Sequence, residues 1–139
     1  MSMEKIFGNY APQTYAILRV IVGLLFLCHG LQKVLGLFGG IDGNGAAAPL
    51  ASLFGVAGLI ETVCGLLVAV GFVTGYAAFI GSGQMAVAYF TAHFPRGFWP
   101  LQNDGEQAVL FCFIFLYIAT RGSGVWSVDG GQRRDGLGF

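Results

Sequence analysis

Arg19, Phe26, His29 and Lys33 lie in one long apolar stretch, separated by steps of seven, three and four residues, which keeps them on a single helix face. Gly23 and Gly30 share that face, so a second backbone can come close there. In the next apolar stretch Glu61 sits near the middle, with Gly58 and Gly65 on its own face. A carboxylate at such a depth is protonated, paired or in contact with water. Arg19 is its expected strong partner from one half of the first helix, with His29 available from the other half. Two chemistries follow: a structural ion pair, Arg19–Glu61, that locks the two helices together, or a group that handles a ligand or a proton. Ionisable side chains inside apolar spans weigh toward the second.

A further set is expected to gather at one end. His29, Gln32 and Lys33 come from the first helix, His93 from the end of the third apolar stretch, Trp99 from the loop after it and Glu106 from the start of the fourth. Singly, each has an ordinary reading: Lys33 snorkels, Glu106 complements a helix dipole, and His93 ends a helix at the level of the lipid headgroups. Together they describe a polar, partly aromatic pocket for a small neutral or quinone-like ligand. His29 would form its floor and Trp99 and His93 its rim, with an imidazole donating to a ligand carbonyl. Two His and two Glu from four helices are also an inventory for a metal or haem. No HxxxH or ExxH spacing occurs, so no metal is expected. Cys28, Cys64 and Cys112 each fall within an apolar stretch and form no CxxC pair, which reads as burial and argues against disulfide exchange by this chain. No strand–GxGxxG–helix unit is present for a flavin or a nicotinamide, so electron transfer would need a bound cofactor or a partner.

The elements that carry these residues are membrane spans. Of 139 residues only 7 are basic and 7 acidic, 55% are hydrophobic and 23 are glycine, and the mean hydropathy is +0.72. A soluble domain carries roughly 25% charged residues, and the apolar content excludes disorder. Zero net charge and no basic run leave nucleic-acid binding without an electrostatic footing. Four stretches approach the ~17–25 residues a spanning helix needs: about 14–37, 50–71, 74–93 and 105–121, followed by a tail at 122–139. The predicted fold is therefore all-α, a single-domain integral membrane four-helix bundle over residues 1–139. Pro49 suits the first turn of the second span and Thr74 the N-cap of the third, which Pro95 ends. Asn103 with Glu106, and Asp104 with Gln107, have N-cap-plus-three spacing ahead of the fourth. The short link around Phe72 and Val73 makes spans two and three antiparallel neighbours. Both termini are assigned to the cytoplasm, which places Lys5, Arg19, Arg121, Arg133 and Arg134 inside and only Lys33 and Arg96 outside. The first apolar segment is too long and too charged for a cleaved signal peptide and reads as a retained helix in a multi-pass protein of the cell inner membrane.

These residues resemble a known family. Leu18-Arg19, Gly23, Phe26 and His29-Gly30-x-Gln32-Lys33, followed by Phe38-Gly39-Gly40, are similar to the first-helix signature of the DoxX family of small membrane proteins. Glu61-x-x-x-Gly65-Leu66-Leu67 with Gly71 resembles its second-helix motif. His93, Gly97-Phe98-Trp99 and Glu106 match the join between helices three and four, and Gly122-Ser123-Gly124-Val125-Trp126-Ser127-Val128-Asp129 its tail. The resemblance runs from about Leu18 to Asp129. It implies a four-helix membrane subunit close to quinone-linked redox or sulfur metabolism, with quinone as the candidate cofactor. It implies the lipid bilayer as a partner, together with a soluble redox or sulfur enzyme or a second copy of the chain. It brings no catalytic residue set, so whether the chain is itself an oxidoreductase stays open. Two alternatives stand beside the redox-subunit reading: a non-catalytic anchor or assembly partner for a soluble enzyme, and a small proton-coupled transporter using Glu61.

Overall fold

A computed structural model describes residues 2–134. The part of the expected tail at 135–139 lies outside the described residues. Among the described residues six α-helices follow in order: α1 (Met3–Phe7), α2 (Ala11–Leu35), α3 (Leu53–Val70), α4 (Thr74–Ala88), α5 (Glu106–Arg121) and α6 (Val128–Arg134). Among the described residues the only β pairing is one isolated bridge, Gly40 with Ala46. Two helical runs, Met3–Leu35 and Leu53–Val70, are long and apolar enough to cross a membrane. Helices α4 and α5, at 15 and 16 residues, are shorter than the ~17–25 that spanning requires. A π-helical turn, Tyr89–His93, continues α4, and a 3-10 turn, Phe94–Arg96, follows it.

Helix ends follow from local chemistry, and some differ from expectation. Pro12 lies in the first turn of α2, and Gly36 ends that helix in the left-handed region at φ 69°, a conformation that costs glycine little. The N-cap of α3 is Ser52, whose hydroxyl accepts from the Gly55 N–H at 3.1 Å. Pro49 therefore stands ahead of that helix, not in its first turn, and its carbonyl accepts from both the N–H and the hydroxyl of Ser52. Thr74 is the first residue of α4 instead of its cap. The Val73 and Thr74 N–H groups point at the Asp129 carboxylate, 3.3 and 3.4 Å away, so the tail supplies an anion to this helix N-terminus. At α5 the N-cap is Gly105, and the Asn103 side chain accepts from its N–H at 2.8 Å. Neither expected capping box forms.

Small residues set the packing of α2 on α3. A Cβ added at Gly23 would lie 2.5 Å from Ala69 N, and one at Gly30 would lie 2.4 Å from Thr62 N. On the facing helix, a Cβ at Gly65 would meet Leu27 N at 2.4 Å and one at Gly58 would meet Lys33 Cβ at 2.7 Å. The two backbones are in contact along both pairs of glycines, as the shared faces predict. Across the bundle the spacing is wider and aromatic rings fill it. Phe26 packs edge-on to Phe115 with centroids 4.7 Å apart and against Phe111 at 5.5 Å, and Phe26 and Phe115 both lie over Gly81 of α4. The outside of the bundle is apolar. Ile17, Ile21 and Leu25 on α2, Val63 and Leu66 on α3, Phe79 on α4 and Phe113 on α5 are all exposed, the surface a hydrocarbon environment requires and water does not.

The bundle has two distinct ends. At one, the turn between α3 and α4 meets the start of α2 and the tail. At the other, the two longer loops join α2 to α3 and α4 to α5. The α2–α3 loop folds back on its helix through Ala48 N–H to Lys33 O at 2.7 Å. Inside it, Asp42 accepts from the N–H groups of Asn44 and Ala46 at 2.9 and 3.0 Å.

Candidate functional site

Arg19 is completely buried. One terminal nitrogen donates to Val68 O at 2.7 Å and Ala69 O at 2.8 Å, and the other to Trp126 O at 2.7 Å. Val68 and Ala69 belong to the last turn of α3, where carbonyls lack intrahelical partners and the helix dipole is negative. The expected Arg19–Glu61 ion pair is therefore replaced by a helix C-cap. The reason is directional: helix side chains lean toward the N-terminus of their own helix, which carries Arg19 away from the level of Glu61.

Lys33 leans the opposite way relative to the site, inward from the loop end, and takes the place assigned to Arg19. Its ammonium lies 2.5 Å from Glu61 Oε2, with the carboxylate side chain 3% exposed and the lysine 18%. Glu61 Oε1 accepts from Gln84 Nε2 at 2.8 Å, and the same amide nitrogen reaches Ala57 O at 3.4 Å. Both oxygens of the buried carboxylate thus have a donor, as burial demands. The unit formed is a neutral chain, ammonium–carboxylate–amide, spanning α2, α3 and α4.

This chain borders a cavity of about 650 Å³ between the helices, in the half nearer the two long loops. The volume falls within the ~300–1,000 Å³ of small-molecule sites. Its polar margin includes His29, Lys33, Glu61, Gln84, His93 and Gln107, and the remainder of the wall is mostly aliphatic and aromatic. His29 Nε2 and Gln107 Nε2 are 3.2 Å apart, an arrangement in which the amide donates and that ring nitrogen accepts. The His29 ring also meets the face of Phe111 edge-on. His93 is held more firmly. Its Nδ1 is 3.0 Å from both Asn103 O and an Arg96 terminal nitrogen; donation to the carbonyl requires the proton on Nδ1, and acceptance from the guanidinium requires that atom bare. The ring stacks on Tyr89.

Four of the expected residues, His29, Lys33, Glu61 and His93, therefore border one cavity. Three do not. Gln32 donates to Gly40 O at 3.1 Å and ties the loop to α2. Trp99 is 64% exposed, and Glu106 is an exposed residue in the first turn of α5; neither touches the cavity wall. Gln84 and Gln107 border the cavity as well, and as uncharged amides they stand out less in an apolar sequence than a charge or an imidazole does. Gln84 did carry a signal: it is the one amide in the apolar stretch 74–93. Among the described residues no cluster of three or more His, Cys, Asp or Glu is placed to hold a metal ion.

An all-helical chain with an apolar exterior and helices of spanning length is a membrane protein by class. The DoxX family model matches residues 14–94, and the chain belongs to the DoxX family. It is 40% identical to a Haemophilus influenzae protein described only as uncharacterized, over 87% of this chain and 92% of the relative. It is 30% identical to an uncharacterized membrane protein of Mycobacterium tuberculosis, over 92% of this chain and 86% of the relative. No solved structure matches.

Proposed function

We propose that this DoxX protein is the membrane subunit of a quinone-linked redox or sulfur-metabolism system and holds a small quinone-like ligand between its helices. In this reading the chain is a single domain of four spans, with both termini on the cytoplasmic side, and α4 reaches spanning length through its π-helical extension. The observation that carries the proposal is the apolar cavity of about 650 Å³ bordered by His29 and the Lys33–Glu61–Gln84 chain. Ligand sites of this kind combine apolar walls with a few polar groups that fix orientation. The residues fit a quinone: Lys33 keeps ammonium protons beyond the one aimed at Glu61, and the neutral imidazole of His29, whose Nε2 accepts from Gln107, carries its proton on Nδ1, so two side chains of α2 can donate to carbonyl oxygens. A bound quinone would supply two-electron redox chemistry. The chain's own contribution is to orient the ring, exclude water and hold the proton inventory at His29 and Glu61.

The test is binding of a tail-less benzoquinone headgroup analogue to the purified full chain. His29→Ala is expected to weaken binding about tenfold, with stability held within about 1–2 kcal/mol of the parent. Equal loss of stability and binding would assign His29 to the fold alone. The anchor alternative predicts no binding in the parent. The carrier alternative predicts proton-coupled uptake in proteoliposomes that Glu61→Gln abolishes, and absence of uptake across a broad substrate panel removes it.

A further inference from the structure

The cavity has an open side, and it gives onto the apolar outer surface of the helices. Leu53 and Val56 of α3, and Phe79 and Val87 of α4, border the cavity and are also exposed on the outer surface of the helices. The interhelical contacts agree: glycines bring the backbones of α2 and α3 together, whereas the α3–α4 seam beside the cavity is bridged by the Gln84 side chain, hydrogen-bonded to Glu61 and Ala57. On the α4 side Phe79, Gly83 and Val87 recur every four residues along one face, and a Cβ at Gly83 would meet nothing within 4 Å. The seam is therefore a slot lined by hydrocarbon, leading from the apolar outer surface to a polar inner wall.

We infer that the occupant is a neutral amphiphile with a single hydrocarbon tail, which enters sideways from the bilayer and leaves its tail in the α3–α4 slot. This inference rests on the quinone-type headgroup reading and adds the tail and the route. Neutrality follows from the wall, where Lys33 and Glu61 cancel at 2.5 Å and the exposed Asp104 at its edge is paired with Arg96 at 3.3 Å; an anionic or cationic head would have to break the buried pair in an apolar setting, which is strongly unfavourable. A tail is accommodated because the slot offers it the same apolar surroundings that it has among the bilayer chains, so a tailed head reaches the polar wall without exposing hydrocarbon to water. One chain is the limit because Gln84, reaching Ala57 and Glu61, crosses the seam.

Gly83→Trp tests both parts, since it adds a large ring to open space on the slot margin without touching Lys33, Glu61 or His29. The variant is made together with Trp99→Phe and Trp126→Phe, both exposed positions, so that residue 83 is the sole tryptophan and is excited selectively over the tyrosines. In phosphatidylcholine nanodiscs its emission is expected to be quenched at least twofold by acyl-chain-brominated phosphatidylcholine and little by aqueous iodide. The reverse pattern overturns the lateral opening. With decyl-benzoquinone as the tailed probe, retention by Gly83→Trp is expected to fall at least tenfold against Gly83→Ala, while the tail-less analogue binds within twofold of the parent. Unchanged retention of the tailed probe overturns the slot as the tail site. If the parent retains neither probe, the quinone reading fails, and the quenching experiment alone decides for or against the opening to the bilayer.

Discussion

Two cations on the same face of α2 meet opposite fates at the two ends of the bundle. Arg19 is enclosed by backbone: three carbonyls from α3 and the tail accept its protons, and the glycine at position 71 leaves no room even for a Cβ beside it. Lys33 meets a side-chain carboxylate that is in turn held by an amide, and all three border a cavity. Carbonyls cannot change charge, so the Arg19 end has one electrostatic state and acts as a rivet. The Lys33 end is instead held by side chains, an ammonium, a carboxylate and an amide, at the border of a cavity. An ionisable residue in a span is thus assigned by what answers it more than by its depth.

Breaking the rivet is expected to have the largest effect. Arg19→Leu removes three hydrogen bonds to carbonyls, of which Val68 O keeps the Gly71 N–H, and should cost about 3 kcal/mol, read as thermal unfolding in detergent, with quinone affinity unchanged in the protein that remains folded. Next comes the seam that holds both ends in register. Gly30→Val forces α2 off Thr62 and should cost about 1–3 kcal/mol through overpacking, with a loss of ligand binding because Lys33 moves with its helix. At the cavity end the two effects should separate. Glu61→Leu strands the Lys33 ammonium and destabilises, Glu61→Gln retains a hydrogen-bond acceptor and is milder, and adding Lys33→Met to Glu61→Leu restores stability while binding stays lost. A double mutant that recovers both would make the pair structural and erase the contrast with Arg19.

The smallest expected effect is in the α2–α3 loop. The N–H groups of Ala46 and Asn44 hold the Asp42 carboxyl below the usual aspartate range. A lowered folded-state value means that the loop's hydrogen bonds contribute fully above the unfolded pKa of ~3.9 and are lost as pH falls through the folded value. Proteolytic nicking of the loop should therefore rise only below about pH 4, and Asp42→Ala should show the same rise at neutral pH.

The sequence made the close α2–α3 seam legible because Gly23 with Gly30, and Gly58 with Gly65, repeat at seven residues on faces that also carry the buried ionisable groups. Which cation meets Glu61 was not legible from face alone. Arg19 and Lys33 share the stripe and stand roughly 21 Å apart along it at 1.5 Å per residue, so the answer depends on helix register and on the lean of each side chain. Register is set by where α3 begins, and Ser52 starts it later than Pro49 suggests. Trp99 and Glu106 shared an end with His29 and His93, but sharing an end does not aim a side chain. Their exposure reflects a loop that turns its aromatic ring outward and a first helical turn open to solvent. Gln84 escaped because an uncharged amide reads as ordinary polarity until a carboxylate is found beside it.

The tail has a consequence in time. Trp126 supplies a carbonyl to Arg19, and Asp129 receives the N-terminal N–H groups of α4, yet both are translated after every helix they complete. During synthesis α2 through α5 are complete while one terminal nitrogen of Arg19 and the head of α4 still lack these partners. A buried donor left without its acceptor is costly, so a chain that stops before Trp126 is expected to hold that end of the bundle less firmly than the chain that continues through Asp129.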